Sequence, residues 1–83
     1  MITLAEQFAL ALANSKKLTE RPDNMMLLKM YGLYKQASNG DAAGERPGFT
    51  DLIARAKWDA WHNYVGMPVE TAQRQFISLV NEL

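Results

Sequence analysis

Every apolar run in this sequence recurs at intervals of three and four residues, and each of the first three ends at a glycine, a proline or an Asn/Asp pair. Side chains at that spacing share one face of a helix, whereas a half-buried strand needs strict alternation. No β-branched run alternates, no segment repeats, and no low-complexity tract is present. The chain is therefore predicted to be all-α: four helices forming a single domain over residues 1–83.

The helix boundaries follow from capping chemistry. Thr3 followed by Glu6 is a capping-box pattern, in which each side chain satisfies a free backbone N–H at a helix start. Leu4, Phe8, Ala11, Leu12, Ser15 and Leu18 then form one stripe, and the helix should fade near Leu18, before the turn signals of "TERPDN". A second helix is predicted from about Asn24 to Ser38, stopping at Asn39-Gly40. It carries two stripes, Leu27/Met30/Tyr34 and Leu28/Tyr31/Lys35, so it should contact more than one neighbour. "GDAAGERPGFTD" holds three glycines and a proline, which leaves no room for regular structure. Thr50 or Asp51 then caps a third helix to about Val65, closed by Gly66, with Ala54, Trp58, Trp61 and Val65 on its stripe. Pro68 opens the last helix at a first-turn position, where its missing N–H costs nothing. Val69, Ala72, Phe76, Leu79, Val80 and Leu83 are its apolar face.

Size and charge narrow the function. A chain of 83 residues buries only about 60% of its unfolded surface, so a deep active-site cavity would compete with the core. Binding in a surface cleft or between helices is the expectation. Nine basic and nine acidic side chains give a net charge of zero, which argues against a partner held by bulk charge such as nucleic acid. A few clustered lysines could still hold individual phosphates. There is no cysteine, so disulfides and thiolate metal sites are excluded. The N-terminal stretch lacks a positive leader and is interrupted by Glu6 and Gln7, unlike a signal peptide. No run approaches the ~20 apolar residues of a membrane span. The expectation is a soluble, cytoplasmic monomer.

No catalytic constellation emerges. His62 is the lone histidine and has no Cys or second His to complete a metal site. Ser15, Ser38 and Ser78 lack an activating motif, and the loop glycines fit no Walker pattern. No enzyme activity, metal or cofactor is expected. Among the aromatics, Trp58, Phe8 and Phe76 read as core. Tyr31 and Tyr34 need partners for their hydroxyls when buried. Tyr31 and Lys35 are four apart and share a face. A solvated lysine is an equally good reading of Lys35, and Lys57 could lay its stem along Trp61 with its head in water.

Taken in order, "YGLYKQASNGD", "RPG", "AKWDAW" and a closing "A…FI..V..L" resemble the acyl-CoA-binding protein family. Each fragment alone is weak, but their order and spacing from Phe8 to Leu83 are specific. The resemblance implies an up-down-down-up four-helix bundle that binds long-chain acyl-CoA one to one and carries it without catalysis. Residue by residue, it implies that Tyr31 contacts the CoA head group and that Lys35 and Lys57 grip its 3′-phosphate; Tyr34 is counted with the ligand-binding residues. Lys16, with Lys17 beside it, occupies the family's basic position at the end of the first helix. Leu28 and Met25, on the Tyr31 side of the second helix, are candidate acyl-chain contacts. Two positions depart from the family. Phe76 stands where a tyrosine usually contacts the nucleotide, and Ile53 stands where many members have a lysine; Arg55 could return part of that charge. Two other functions remain open: a helical protein-interaction module without a ligand, and an acyl-CoA-using enzyme or a piece of one.

Overall fold

Side-chain caps set three of the four helix starts, and the computed structural model, which describes residues 1–83, runs α1 (Leu4–Ser15), α2 (Asn24–Asn39), α3 (Leu52–His62) and α4 (Val69–Glu82). At α1 the Glu6 N–H donates to Thr3 Oγ1 at 3.1 Å while the Thr3 N–H donates to the Glu6 carboxylate at 3.4 Å, completing the capping box. Asp23 accepts from the Met26 N–H at 2.8 Å, and Asp51, rather than Thr50, accepts from the Ala54 N–H at 3.0 Å. Pro68 is the N-cap of α4, just before the first turn in which it was expected, and no side chain caps that helix.

Two helices stop short of the sequence expectation. α1 ends at Ser15, whose hydroxyl donates to the Leu12 carbonyl at 2.6 Å and so competes with the backbone ladder. Leu18 lies beyond the helix but still packs on the core. α3 ends at His62 because the chain tightens there into i→i+3 bonds: Tyr64 donates to Trp61 and Val65 to His62, each at 3.1 Å. Val65 is thereby rotated out to 51% exposure instead of joining the core, and Gly66 takes a φ of +88° that favours glycine. The ends of the α4 stripe, Val69 and Leu83, are also exposed.

Helix packing follows the line α1–α4–α2–α3, and α3 contacts no other helix than α2. The N-terminal halves of α2 and α3 line one groove, so the two run parallel and the long loop returns the chain between them. The core joins α1, α2 and α4 through Ala11, Met30, Leu33, Phe76, Leu79 and Val80. Phe76 is 2% exposed and takes the edge of Phe8 at 5.4 Å between centroids.

Trp58 is not part of this core. It is half-buried, stacks on His62 at 4.9 Å, and its indole N–H donates to the Ala43 carbonyl at 3.3 Å. The Trp61 indole N–H likewise donates to the Gly40 carbonyl at 2.7 Å. An indole has an N–H to satisfy as well as a ring to bury, and carbonyls of a loop without regular structure supply the acceptors. The tryptophans thus pin the long loop to α3. Arg46 from the same loop makes a two-pronged ion pair with Asp59 at 2.7 and 2.6 Å, which holds the Asp59 carboxyl below its ordinary range.

Gln36 ties together the segments that the helices leave free. It is fully buried, and its Nε2 donates to Asp41 Oδ1 and to the Met67 carbonyl, both at 2.8 Å. The Gly66 N–H donates to the same Asp41 oxygen at 2.8 Å. The amide oxygen of Gln36 has no protein partner, so the side chain is held by its nitrogen alone. The hydrogen bonds from Gln36 and then Gly66 keep the Asp41 carboxyl below its ordinary value of 3.8.

Two expectations follow for stability. Phe76→Ala should cost ~3–5 kcal/mol through the cavity it leaves, read as a lowered urea midpoint. For Asp41, the unfolded chain takes up the proton more readily than the folded one. The stabilisation is therefore complete above the ordinary carboxylate range and is lost as pH falls through the lowered folded value. Asp41→Asn keeps an oxygen acceptor without the titration, so its urea midpoint should fall less steeply than that of the unmodified protein below about pH 4. Equal slopes would remove Asp41 from the acid response.

Candidate functional site

α2 and α3 lie side by side, and the N-terminal halves of the two border a groove of ≈ 490 Å³. Its apolar lining comes from Leu27, Leu28 and Tyr31 on α2 and from Leu52, Ile53 and Ala56 on α3. Lys57 and Arg21 stand on the same lining. Residues 28 and 31 reach it because they sit three apart on α2, and residues 53, 56 and 57 because they lie on one side of α3. The groove is open to solvent, as expected for a molecule only 14 Å thick along its shortest axis.

The sequence-predicted residues divide among five places. Tyr31, Leu28 and Lys57 meet at the groove, with the Lys57 ammonium 5.4 Å from the Tyr31 ring centroid. Tyr34 lies 6.5 Å from Tyr31, centroid to centroid, on the other side of that ring. There Leu12, Ser15, Tyr31, Tyr34 and Phe76 border a smaller hollow of ≈ 190 Å³ between α1 and α2. Phe76 is thus a core residue whose ring also reaches this hollow. Lys16 follows Ser15 as the exposed C-cap of α1. Met25 is 82% exposed and lines a second α2–α3 hollow, not the groove itself.

Lys35 is one turn from Tyr31, and its ammonium lies over Trp61, 4.7 Å from the ring centroid. The Lys57 ammonium, expected in water, lies over Tyr31 instead. Lys35 takes the indole, because α2 packs beside α3, and Lys57 takes Tyr31 across the same seam. Each lysine is a cation over an aromatic face from the opposite helix, an arrangement that contributes roughly 0.5–1 kcal/mol at exposed sites; of the two, Lys57 lines the groove.

Sequence reasoning missed Arg21, Leu27, Leu52 and Ala56 as groove residues. Arg21 had one usable signal, its place just before the Asp23 cap; its guanidinium donates to Asn24 Oδ1 at 3.0 Å, fixing it at the start of α2. Ile53, noted as replacing a lysine, adds apolar lining instead. Arg55 is turned to Phe49, with its guanidinium carbon 4.1 Å from the ring centroid. It therefore does not stand among the residues that line the groove. In the second hollow, burial raises the Tyr64 pKa above its ordinary value.

A protein-family model described as acyl-CoA-binding protein matches residues 5–80. The chain belongs to the acyl-CoA-binding protein family. It is 45% identical over 83 residues to an acyl-CoA-binding protein homolog of Manduca sexta, covering 99% of this chain and 92% of the relative. A solved acyl-CoA-binding protein 2 of Oryza sativa superposes with a TM-score of 0.94 at 38% identity, over 98% of this chain and 90% of that one. The family fold is therefore the fold seen here. The chain is also 38% identical to part of enoyl-CoA delta isomerase 2 of Rattus norvegicus, matching 20% of that enzyme's length. No helix is long and apolar enough to cross a membrane.

Proposed function

We propose that this protein binds long-chain acyl-CoA esters and carries them without chemical change, as a cytoplasmic monomer taking one ligand at a time. The observation that supports this most is the groove between α2 and α3, where an apolar floor ends at Lys57 and Tyr31. That pairing suits an amphiphile with an acyl tail and a phosphorylated head. In this reading Leu27, Leu28, Ala56 and Ile53 contact the tail, and Met25, which lines the second hollow, is left outside it. Tyr31 and Tyr34 take the nucleotide, Lys35 and Lys57 the 3′-phosphate, and Lys16 the diphosphate side.

The energetics are consistent with a neutral protein. A hydrogen bond to a charged group contributes ~1.5–3 kcal/mol, so two or three such contacts supply much of the roughly −8 kcal/mol of a micromolar complex. Each buried methylene adds about 0.8 kcal/mol. Bulk positive charge is not needed. A second reading, a binding module that serves an acyl-CoA-using enzyme, is favoured by the partial match to the isomerase. In that case the isolated chain still binds the ester and leaves the thioester intact.

Calorimetry should give micromolar or tighter binding of palmitoyl-CoA, with CoA and palmitate much weaker. Equal affinity for CoA and palmitoyl-CoA would remove the tail from the groove. Lys35→Ala and Lys57→Ala should each weaken binding by ~1–3 kcal/mol with little change in urea midpoint. The dephospho-CoA ester should reproduce most of that loss in the unmodified protein; full discrimination surviving in both mutants would overturn the phosphate assignment. Phe76→Tyr would add a hydroxyl where the ring borders the hollow beside Tyr31 and Tyr34. One net hydrogen bond contributes about 0.5–1.5 kcal/mol, so palmitoyl-CoA should bind a few-fold more tightly. Unchanged or weaker binding would mean that the position serves the core alone.

A further inference from the structure

Gly32 lies in the middle of α2 with an ordinary helical backbone. Glycine weakens a helix relative to alanine, and no turn or positive φ accounts for it here. The reason lies across the seam. A Cβ on Gly32 would collide with the carbonyl oxygen of Ala60 and stand 2.8 Å from both the Ala60 carbonyl carbon and Tyr64 Cε2. The Ala60 obstacle is backbone, which cannot rotate aside as a side chain does. Any side chain at position 32 must therefore push α3 away from α2.

One helical turn nearer the helix starts, Leu28 and Ala56 occupy the same seam. This pair lines both the 490 Å³ groove and the second hollow of ≈ 400 Å³. The second hollow continues on the other flank along Met25, Ala60 and Tyr64. Leu28 and Ala56 are thus the wall between two largely apolar spaces, and the Gly32–Ala60 contact sets how tightly that wall is shut.

We propose that Gly32, by letting α2 close onto Ala60, keeps the two hollows apart and so limits the length of acyl chain that the groove rewards. This rests on the acyl-CoA reading above and names the residue that sets its chain-length preference. A tail that reaches Leu28 and Ala56 meets a closed seam. Up to that point each methylene gains burial, roughly four-fold in affinity. Beyond it, added methylenes remain in water and affinity levels off. Separating the helices opens a path into the second hollow.

The test is calorimetry with saturated acyl-CoA esters from octanoyl to eicosanoyl on the unmodified protein, Gly32→Ala and Leu28→Ala, with urea melts on each. The unmodified protein should show affinity rising with chain length and then levelling. Gly32→Ala should displace the levelling point to longer chains. Leu28→Ala removes the wall without moving a helix; it should bind shorter chains more weakly and also level off later, and it decides the question if Gly32→Ala does not fold. A levelling point that the folded variants do not move overturns the Gly32 assignment alone, as does affinity that rises evenly to eicosanoyl in the unmodified protein. Failure of the unmodified protein to bind any ester overturns the acyl-CoA reading, and this proposal with it.

Discussion

α3 has a single helical neighbour. The other three helices share a core built around Phe76 and Leu33, whereas α3 touches this body only along α2. A helix held on one side needs a close seam and supports from outside the helices. Gly32 provides the first by bringing α2 against the backbone at Ala60. The long loop provides the second, since both tryptophan indoles and Arg46 fasten it to α3. Gln36 joins that loop to the turn before α4 through Asp41, Gly66 and Met67.

The same arrangement creates the groove to which ligand binding is assigned in the proposed function. α2 and α3 meet tightly at Gly32 and Ala60, and beside their N-terminal halves an apolar groove opens where no third helix packs on α3. A domain of this size could not enclose such a volume without giving up core. It exposes the volume between two helices instead. The lysine heads are placed by aromatic faces, Lys35 by Trp61 and Lys57 by Tyr31. This explains the stretch "AKWDAW": the indoles hold the loop and one lysine, and α3 carries the other lysine to the groove. In the proposed function these two positioned cations serve one nucleotide head, so bulk positive charge on the chain is not required.

Much of this was legible in the sequence. Helix number, the caps at Thr3, Asp23 and Asp51, and the irregular loop all follow from local rules in which the interacting groups are neighbours along the chain. Tyr31 and Lys57 were singled out by a motif resemblance and Leu28 by sharing a helix face with Tyr31, and the three line one groove. The early end of α3 was less legible, since it depends on the turn closing at Tyr64 and on Gly66 meeting Asp41, which is distant in sequence. Trp58 was misplaced in the core because periodicity registers an apolar ring but not the indole N–H that needs a carbonyl from the loop.

The sequence by itself determined the all-α class, the helix boundaries to within a turn and the family to which the chain belongs, because periodicity, capping and motif order are local properties. Only the tertiary structure decided which lysine lies over which aromatic ring, why Gly32 must lack a side chain, and that Gln36 is a buried tie rather than a surface amide. Each of these depends on the distance between segments that are far apart in the chain, and that distance exists only once α2 and α3 have closed on each other.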